Sequence, residues 1–120
     1  METPAILLYE FSPGEVVELK ALLPAVRLIP VPRAGYGLTL SEILAEKAPP
    51  ALAVGTPLSC KMLVLANANG PLAHFLLDAC AQVTGTRKVL RAMLTDTNRA
   101  WTGATLHEHL LEEEAALSRS

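Results

Sequence analysis

The sequence predicts an α/β domain, a small three-layer structure in which a four-stranded, mostly parallel sheet of order 2-1-3-4 carries helices on both faces. Three observations predict it. Short apolar runs alternate with stretches of helical periodicity from one end of the chain to the other. Hydrophobic residues make up 51% of the chain but aromatics only 4%, so the core is aliphatic, as suits strands packed between helices. Prolines crowd the second strand candidate, which marks it as an edge.

The first strand is expected at Ala5 to Tyr9 and hands over to a helix at Ser12. Ser12 as N-cap puts Pro13 in the first turn, where its missing N–H costs nothing, and Glu15 three residues on completes a capping box. Val16, Leu19, Leu22 and Leu23 give that helix a buried face until Pro24 ends it. Val26 to Val31 is the second strand, peripheral because Pro30 and Pro32 lack ladder donors. A flexible turn at 33–37 leads to Thr39 and Glu42, a second capping box that opens a short helix through Ile43, Leu44 and Ala45. Residues 47–58 hold too many prolines and glycines for a regular element, although Ala51 to Val54 can add a turn of extended chain. Met62 to Ala66 is an unbroken apolar run, the expected central strand. A third helix follows from Leu72 through Val83 with Gly85 as its stop, then a fourth strand at Val89 to Leu94 and a last helix from about Thr102 to Leu117.

Strict alternation favours parallel strands with right-handed crossovers, so that four loops meet along one rim beyond the strands' carboxyl ends. The alternative is an α+β split β-α-β arrangement with antiparallel pairs, which the irregular residues after Lys47 would permit.

The 120 residues fit one domain, 1–120. Their net charge of -2 offers no positive field for nucleic acid, and no apolar run reaches the roughly 18 residues that a membrane helix needs. No basic segment precedes the first apolar run, so a secretory leader is not expected and the chain is placed in the cytoplasm. Cys60 and Cys80 lack zinc-like or redox spacing and read as two buried thiols, so neither a metal nor another cofactor is expected. The high apolar content of so short a chain points to a homodimer as a partner arrangement.

The four loops carry Glu10 and Ser12; Arg33 with Tyr36; Asn67, Asn69 and Gly70; and Thr95, Asp96, Thr97, Asn98, Arg99 and Trp101. Only the last is dense in functional groups, with Arg99 able to clamp a carboxylate or phosphate. Thr, Asp and Asn are equally ordinary turn residues, and Trp101 can simply anchor the last helix. His107 and His109, two apart on a helix, cannot form a metal grip and are expected to be solvated, while His74 can reach a ligand near Asn67. No dinucleotide fingerprint, phosphate loop or catalytic triad is legible.

The stretch from Val89 to Thr102, with Leu94-Thr95, Thr97-Asn98-Arg99 and Trp101-Thr102 as its specific part, resembles a small bacterial family known as domain of unknown function 3783. The resemblance extends to Leu38 through Leu44 and to the Leu- and Glu-rich closing helix; Asp96 stands where the family pattern has proline and Arg91 where it has lysine. It implies an element order and singles out a loop, but it implies no activity. From the residues themselves, the first functional expectation is a non-catalytic binding or interaction module whose surface is the Thr95 to Trp101 loop with Asn67 and Asn69 beside it. The second is a small enzyme or sensor of an anionic metabolite, with Arg99 on the anion, Thr97 and Asn98 orienting it, and Asp96 or His74 moving a proton.

Overall fold

A computed structural model describes residues 3–49 and 55–118, so the extended turn predicted at Ala51 to Val54 lies outside the described residues. The elements follow the predicted order: β1 (Ala5–Tyr9), α1 (Pro13–Leu22), β2 (Arg27–Val31), α2 (Leu40–Leu44), β3 (Lys61–Ala66), α3 (Gly70–Thr84), β4 (Val89–Met93) and α4 (Gly103–Ser118). Single turns of 3₁₀ helix at Arg33–Gly35 and Asn98–Ala100 follow β2 and β4. Both capping boxes form. The Glu15 amide donates to Ser12 Oγ (3.2 Å) while Glu15 Oε1 accepts from the Ser12 amide (2.8 Å), and Thr39 and Glu42 repeat the exchange at 3.1 and 2.9 Å. Gly85 ends α3 at φ 62, a backbone shape that costs glycine little.

The sheet order is β2-β1-β3-β4, with the proline-bearing strand at one edge and the two apolar runs inside, as predicted. Every residue of β1 is buried, and so is β3 from Met62 to Ala66, because helices cover both faces. α1 and α3 pack Leu19, Leu23, Leu76, Ala79, Cys80 and Val83 onto Ile6, Leu8, Leu63 and Leu65. α2 and α4 cover the opposite face, where Leu40, Ile43 and Leu106 meet Leu7, Tyr9, Met62 and Val64. Each fully buried Leu or Ile is worth roughly 1.5–3 kcal/mol of transfer free energy, so this double layer carries the fold.

The expectation that all four loops share one rim is overturned. β1 pairs with β2 and β3 with β4 in parallel, but β1 and β3 run antiparallel, with Leu7 opposite Val64. The cause lies between β2 and β3, where the chain crosses the sheet twice. It first travels to the far rim, where the Leu44 carbonyl accepts from Arg27 Nη2 (3.1 Å), and then returns to the near rim, where the Leu58 amide donates to Glu10 (3.1 Å). An even number of crossings reverses the next strand. The loops holding Glu10, Ser12, Arg33 and Tyr36 therefore stand on one rim, and those holding Asn67, Asn69 and Thr95 to Trp101 on the other.

This antiparallel centre gives the chain an approximate internal dyad, normal to the sheet through the Leu7–Val64 pair. Ile29 flanks Leu7 as Ala92 flanks Val64. At equal chain distance from Ile29 and Ala92 stand Thr39 and Thr102, which form an antiparallel bridge with each other. Each begins a helix by accepting at 3.1 Å from an amide three residues on, Glu42 or Thr105. Glu10 and Asn67 each follow a central strand by one residue, and both are left-handed, at φ 65 and φ 59. The fold is thus a β-α-β-α unit laid against a second copy of its own plan. Leu8 and Leu65, Leu19 and Leu76, and Thr39 and Thr102 are the same residue in both halves, but few other positions agree, which hides the repeat from sequence inspection.

Candidate functional site

The rim beyond β1 and β2 is built around one carboxylate. Glu10 accepts from Arg33 Nη2 (2.9 Å) and Nε (3.3 Å), from the Tyr36 hydroxyl (2.8 Å) and from the Leu58 amide (3.1 Å). The Arg33 guanidinium holds the Glu10 carboxyl down at about 2, with Tyr36 and the Leu58 amide adding to it, although partial burial opposes the shift. Burial, with the negative Glu10 beside it, pushes the Tyr36 hydroxyl up to about 12, so it stays a donor. A Cβ on Gly55 would come within 1.6 Å of the Arg33 carbonyl oxygen, so only glycine lets the 55–58 segment close over this rim. Left-handed backbone is unfavourable for a glutamate, and these four donors hold it there. The cavity beside them is about 340 Å³.

Below it, Lys61 Nζ donates to the Glu10 carbonyl (2.8 Å) and to Glu15 Oε1 (2.7 Å), and lies over the Phe11 ring. Glu15 is 4% exposed. Burial would raise its carboxyl, but the hydrogen bonds from Lys61 and the Ser12 amide and the charges of Lys61 and Arg87 outweigh that and lower it. Arg87 Nη1 lies 3.1 Å from Oε2 as an ion pair without hydrogen-bond alignment.

The opposite rim is built differently. Thr3, Arg27, Ser41, Leu44, Ala45, Asn67, Leu94 and Arg99 line a cleft of about 610 Å³, floored by α2. Among the described residues no acidic side chain lines it. Arg27 reaches the Leu44 carbonyl and the exposed Glu46 carboxylate (3.1 Å), whereas the Arg99 side chain has no hydrogen-bonding or ionic partner among the described residues. Asn67 leans across with its Nδ2 donating to the Thr3 carbonyl (3.2 Å). The cleft thus gathers two guanidinium groups, an amide and the hydroxyls of Thr3 and Ser41, a set of donors whose chemistry suits an anion.

Of the predicted site residues, the structure brings Asn67 and Arg99 into this one cleft. Thr95 and Asn98 hold the loop instead. The Thr95 amide donates to Asn98 Oδ1 (2.8 Å), the Asn98 amide to Thr95 Oγ1 (3.0 Å), and Asn98 Nδ2 to the Met93 carbonyl (2.9 Å), with Asn98 itself buried. This clasp sets the turn from which Arg99 projects. Asp96, Thr97 and Asn69 are exposed and do not line the cleft, and Trp101, half-buried against the core, stacks on His109 at 4.4 Å. His74 is exposed on α3 and lines no part of the cleft.

Residues 61–117 match the model of a family described as a domain of unknown function, DUF3783. This stretch is similar to that family. The match runs from β3 to α4, which is the second of the two structural halves, and includes Asn67, Leu94 and Arg99 of the cleft together with the whole clasp. The resemblance seen at Leu38 through Leu44 lies outside the matched residues, as do Thr3, Arg27 and Ser41, so the first half completes a cleft that the matched stretch begins. No curated protein and no solved structure matches the chain.

Two expectations about single residues change. His107 is buried rather than solvated, its Nε2 3.2 Å from the Cys60 carbonyl oxygen and 3.6 Å from Cys60 Sγ, because α4 turns that position inward and His109 outward. Cys80 is buried as expected, but Cys60 is half-buried at the start of β3, and both are free thiols. Sequence reasoning missed Arg27 and Ser41 as cleft residues. A cation opening an edge strand was visible in the sequence, but its neighbours depend on where α2 lands.

Proposed function

We propose that the chain is a non-catalytic binding module that holds an anion in the cleft between Arg99, Asn67 and Arg27. The observation that carries this reading is Arg99, a guanidinium that has no acidic partner and stands in a cleft with no acidic lining among the described residues. Asp96 and His74, the proton carriers an enzyme would need here, do not line the cleft, so binding is favoured over catalysis. Its two free cysteines favour the cytoplasm as its location. Differential scanning fluorimetry of the wild type and Arg99→Ala with small anions tests the function. A ligand at about 100 times its Kd adds about 2.7 kcal/mol of stability, and that gain must be lost with Arg99. Equal responses of the two proteins would end this reading.

A second copy of the chain is the other partner supported by a specific observation. Val17 and Leu22 on α1 and Phe75 on α3 are 69%, 45% and 52% exposed, and Leu22 and Phe75 line one groove between these helices. Light scattering on the wild type and Phe75→Glu tests it; a monomer at all concentrations removes the dimer.

A further inference from the structure

The internal dyad identifies which anion fits, an inference that rests on the anion-binding reading above. Counted from the bridged pair Thr39 and Thr102, Tyr36 and Arg99 hold the same place, and counted from Leu7 and Val64, so do Glu10 and Asn67. Val31 and Leu94 correspond as well, so both cavities are lined by the same three structural positions. In the first half, the residue just after the central strand, Glu10, brings a carboxylate, and the residue three before the bridged threonine, Tyr36, donates to it at 2.8 Å; Tyr36 follows its 3₁₀ turn, whereas Arg99 stands inside the turn Asn98–Ala100. In the second half the donor position has become a guanidinium, while the acceptor position has become an amide that cannot carry charge.

We infer that the Asn67–Arg99 cleft binds a carboxylate from a small carboxylic acid, in the place that Glu10 fills by itself in the other half. The guanidinium fork takes both oxygens of one planar carboxylate, with Asn67 Nδ2 as a further donor where it can leave the Thr3 carbonyl. Phosphate sites favour converging backbone amides at a helix N-terminus, but no residue of the first turn of α3, which starts nearby at Gly70, lines this cleft. Arg27, already shared with the Leu44 carbonyl and Glu46, adds positive field at the cleft's edge. A second carboxylate on the ligand would meet it there.

The test follows the Arg99 Nε–H and Asn67 side-chain amide resonances of the whole chain by NMR, at constant ionic strength. The probes are acetate, succinate, inorganic phosphate and sulfate. Acetate and succinate are expected to shift both resonances saturably, succinate at lower concentration, and phosphate and sulfate to shift them little. Asn67→Glu, which installs the acceptor of the first half at a position where Glu10 shows that a glutamate is accommodated, is expected to abolish the carboxylate response. Asn67→Gln, of the same size and without charge, is expected to keep it, and so separates self-occupation from any harm to folding. Phosphate or sulfate acting as strongly as the carboxylates, or Asn67→Glu titrating like wild type, overturns the carboxylate assignment while leaving an anion cleft standing. No anion moving Arg99 removes both. If Asn67→Glu does not fold, the ranking of the four anions on wild type decides alone.

Discussion

Tyr36 and Arg99 stand at the same chain distance from the bridged Thr39 and Thr102, yet Tyr36 donates at 2.8 Å to the carboxylate of Glu10 while Arg99 faces a cleft with no acid in its lining among the described residues. The difference separates a rim that is closed on itself from the one proposed to bind an anion. On the first rim the chain satisfies its own donors, and the four hydrogen bonds to Glu10 help to close the 55–58 segment over the sheet. On the second rim the loop is clasped by Asn98, and its cation, Arg99, has no hydrogen-bonding or ionic partner among the described residues.

Glu10 should make stability acid-sensitive. Its carboxyl is held at about 2, below its ordinary value of 4.5, so the native state binds fewer protons than the unfolded state in that interval. The stabilisation is complete above about pH 4.5 and is lost as the pH falls toward 2. Urea unfolding of Glu10→Gln at a series of pH values should show a loss of about 1.5–3 kcal/mol at neutral pH and a shallower decline in acid than wild type. Parallel curves for the two proteins would contradict this role.

Lys61→Met should strand the buried Glu15. Removing one partner of a buried pair costs about 3–5 kcal/mol, and Arg87 at 3.1 Å keeps the loss toward the lower end. Chemical denaturation measures it. A change below about 0.5 kcal/mol, the range of ordinary surface substitutions, would mean that Arg87 alone satisfies Glu15.

Tyr9 and Gly103 should respond in opposite directions. A Cβ on Gly103 would stand 2.4 Å from Tyr9 Cε2, so Gly103→Ala should cost about 1–3 kcal/mol through overpacking where α4 starts. The Tyr9 hydroxyl is buried with no hydrogen-bond partner among the described residues, so Tyr9→Phe should leave stability unchanged or raise it by about 1 kcal/mol. Thermal melts of both variants check the pair; a less stable Tyr9→Phe would reveal a partner for that hydroxyl.

Asn98→Ala should weaken binding without touching the ligand. It removes the acceptor for the Thr95 amide and the donor to the Met93 carbonyl, which together aim Arg99. A stability loss of about 1–3 kcal/mol is expected, along with a smaller response to small anions than wild type gives. An unchanged anion response would show that Arg99 is positioned by other contacts.

Much of the fold was legible because its signals are local. Ser12 with Glu15 and Thr39 with Glu42 form their capping boxes within single turns, Gly85 stops its helix, and Pro30 marks an edge wherever the rest of the sheet lies. Arg99 and Asn67 were likewise legible as polar loop residues after apolar strands. The direction of β3 was not. It depends on the return path between Ala45 and Leu58, which carries no periodic pattern and is secured by contacts as distant as the Leu58 amide on Glu10. The burial of His107 was hidden for a similar reason, since its partner Cys60 stands far off in sequence.

The order of residues is enough to say which segments are strands and helices, where each helix begins, and that the two apolar runs lie inside the sheet. Those properties come from side-chain spacing and from hydrogen bonds between residues three apart. Long-range packing sets the rest: two loops face each rim, Glu10 is answered by Arg33 and Tyr36, and Arg99 shares its cleft with Asn67 and Arg27. Pairing β1 against β3 in opposite directions is a choice between long-range arrangements that expose nearly the same apolar pattern, so local chemistry does not distinguish them.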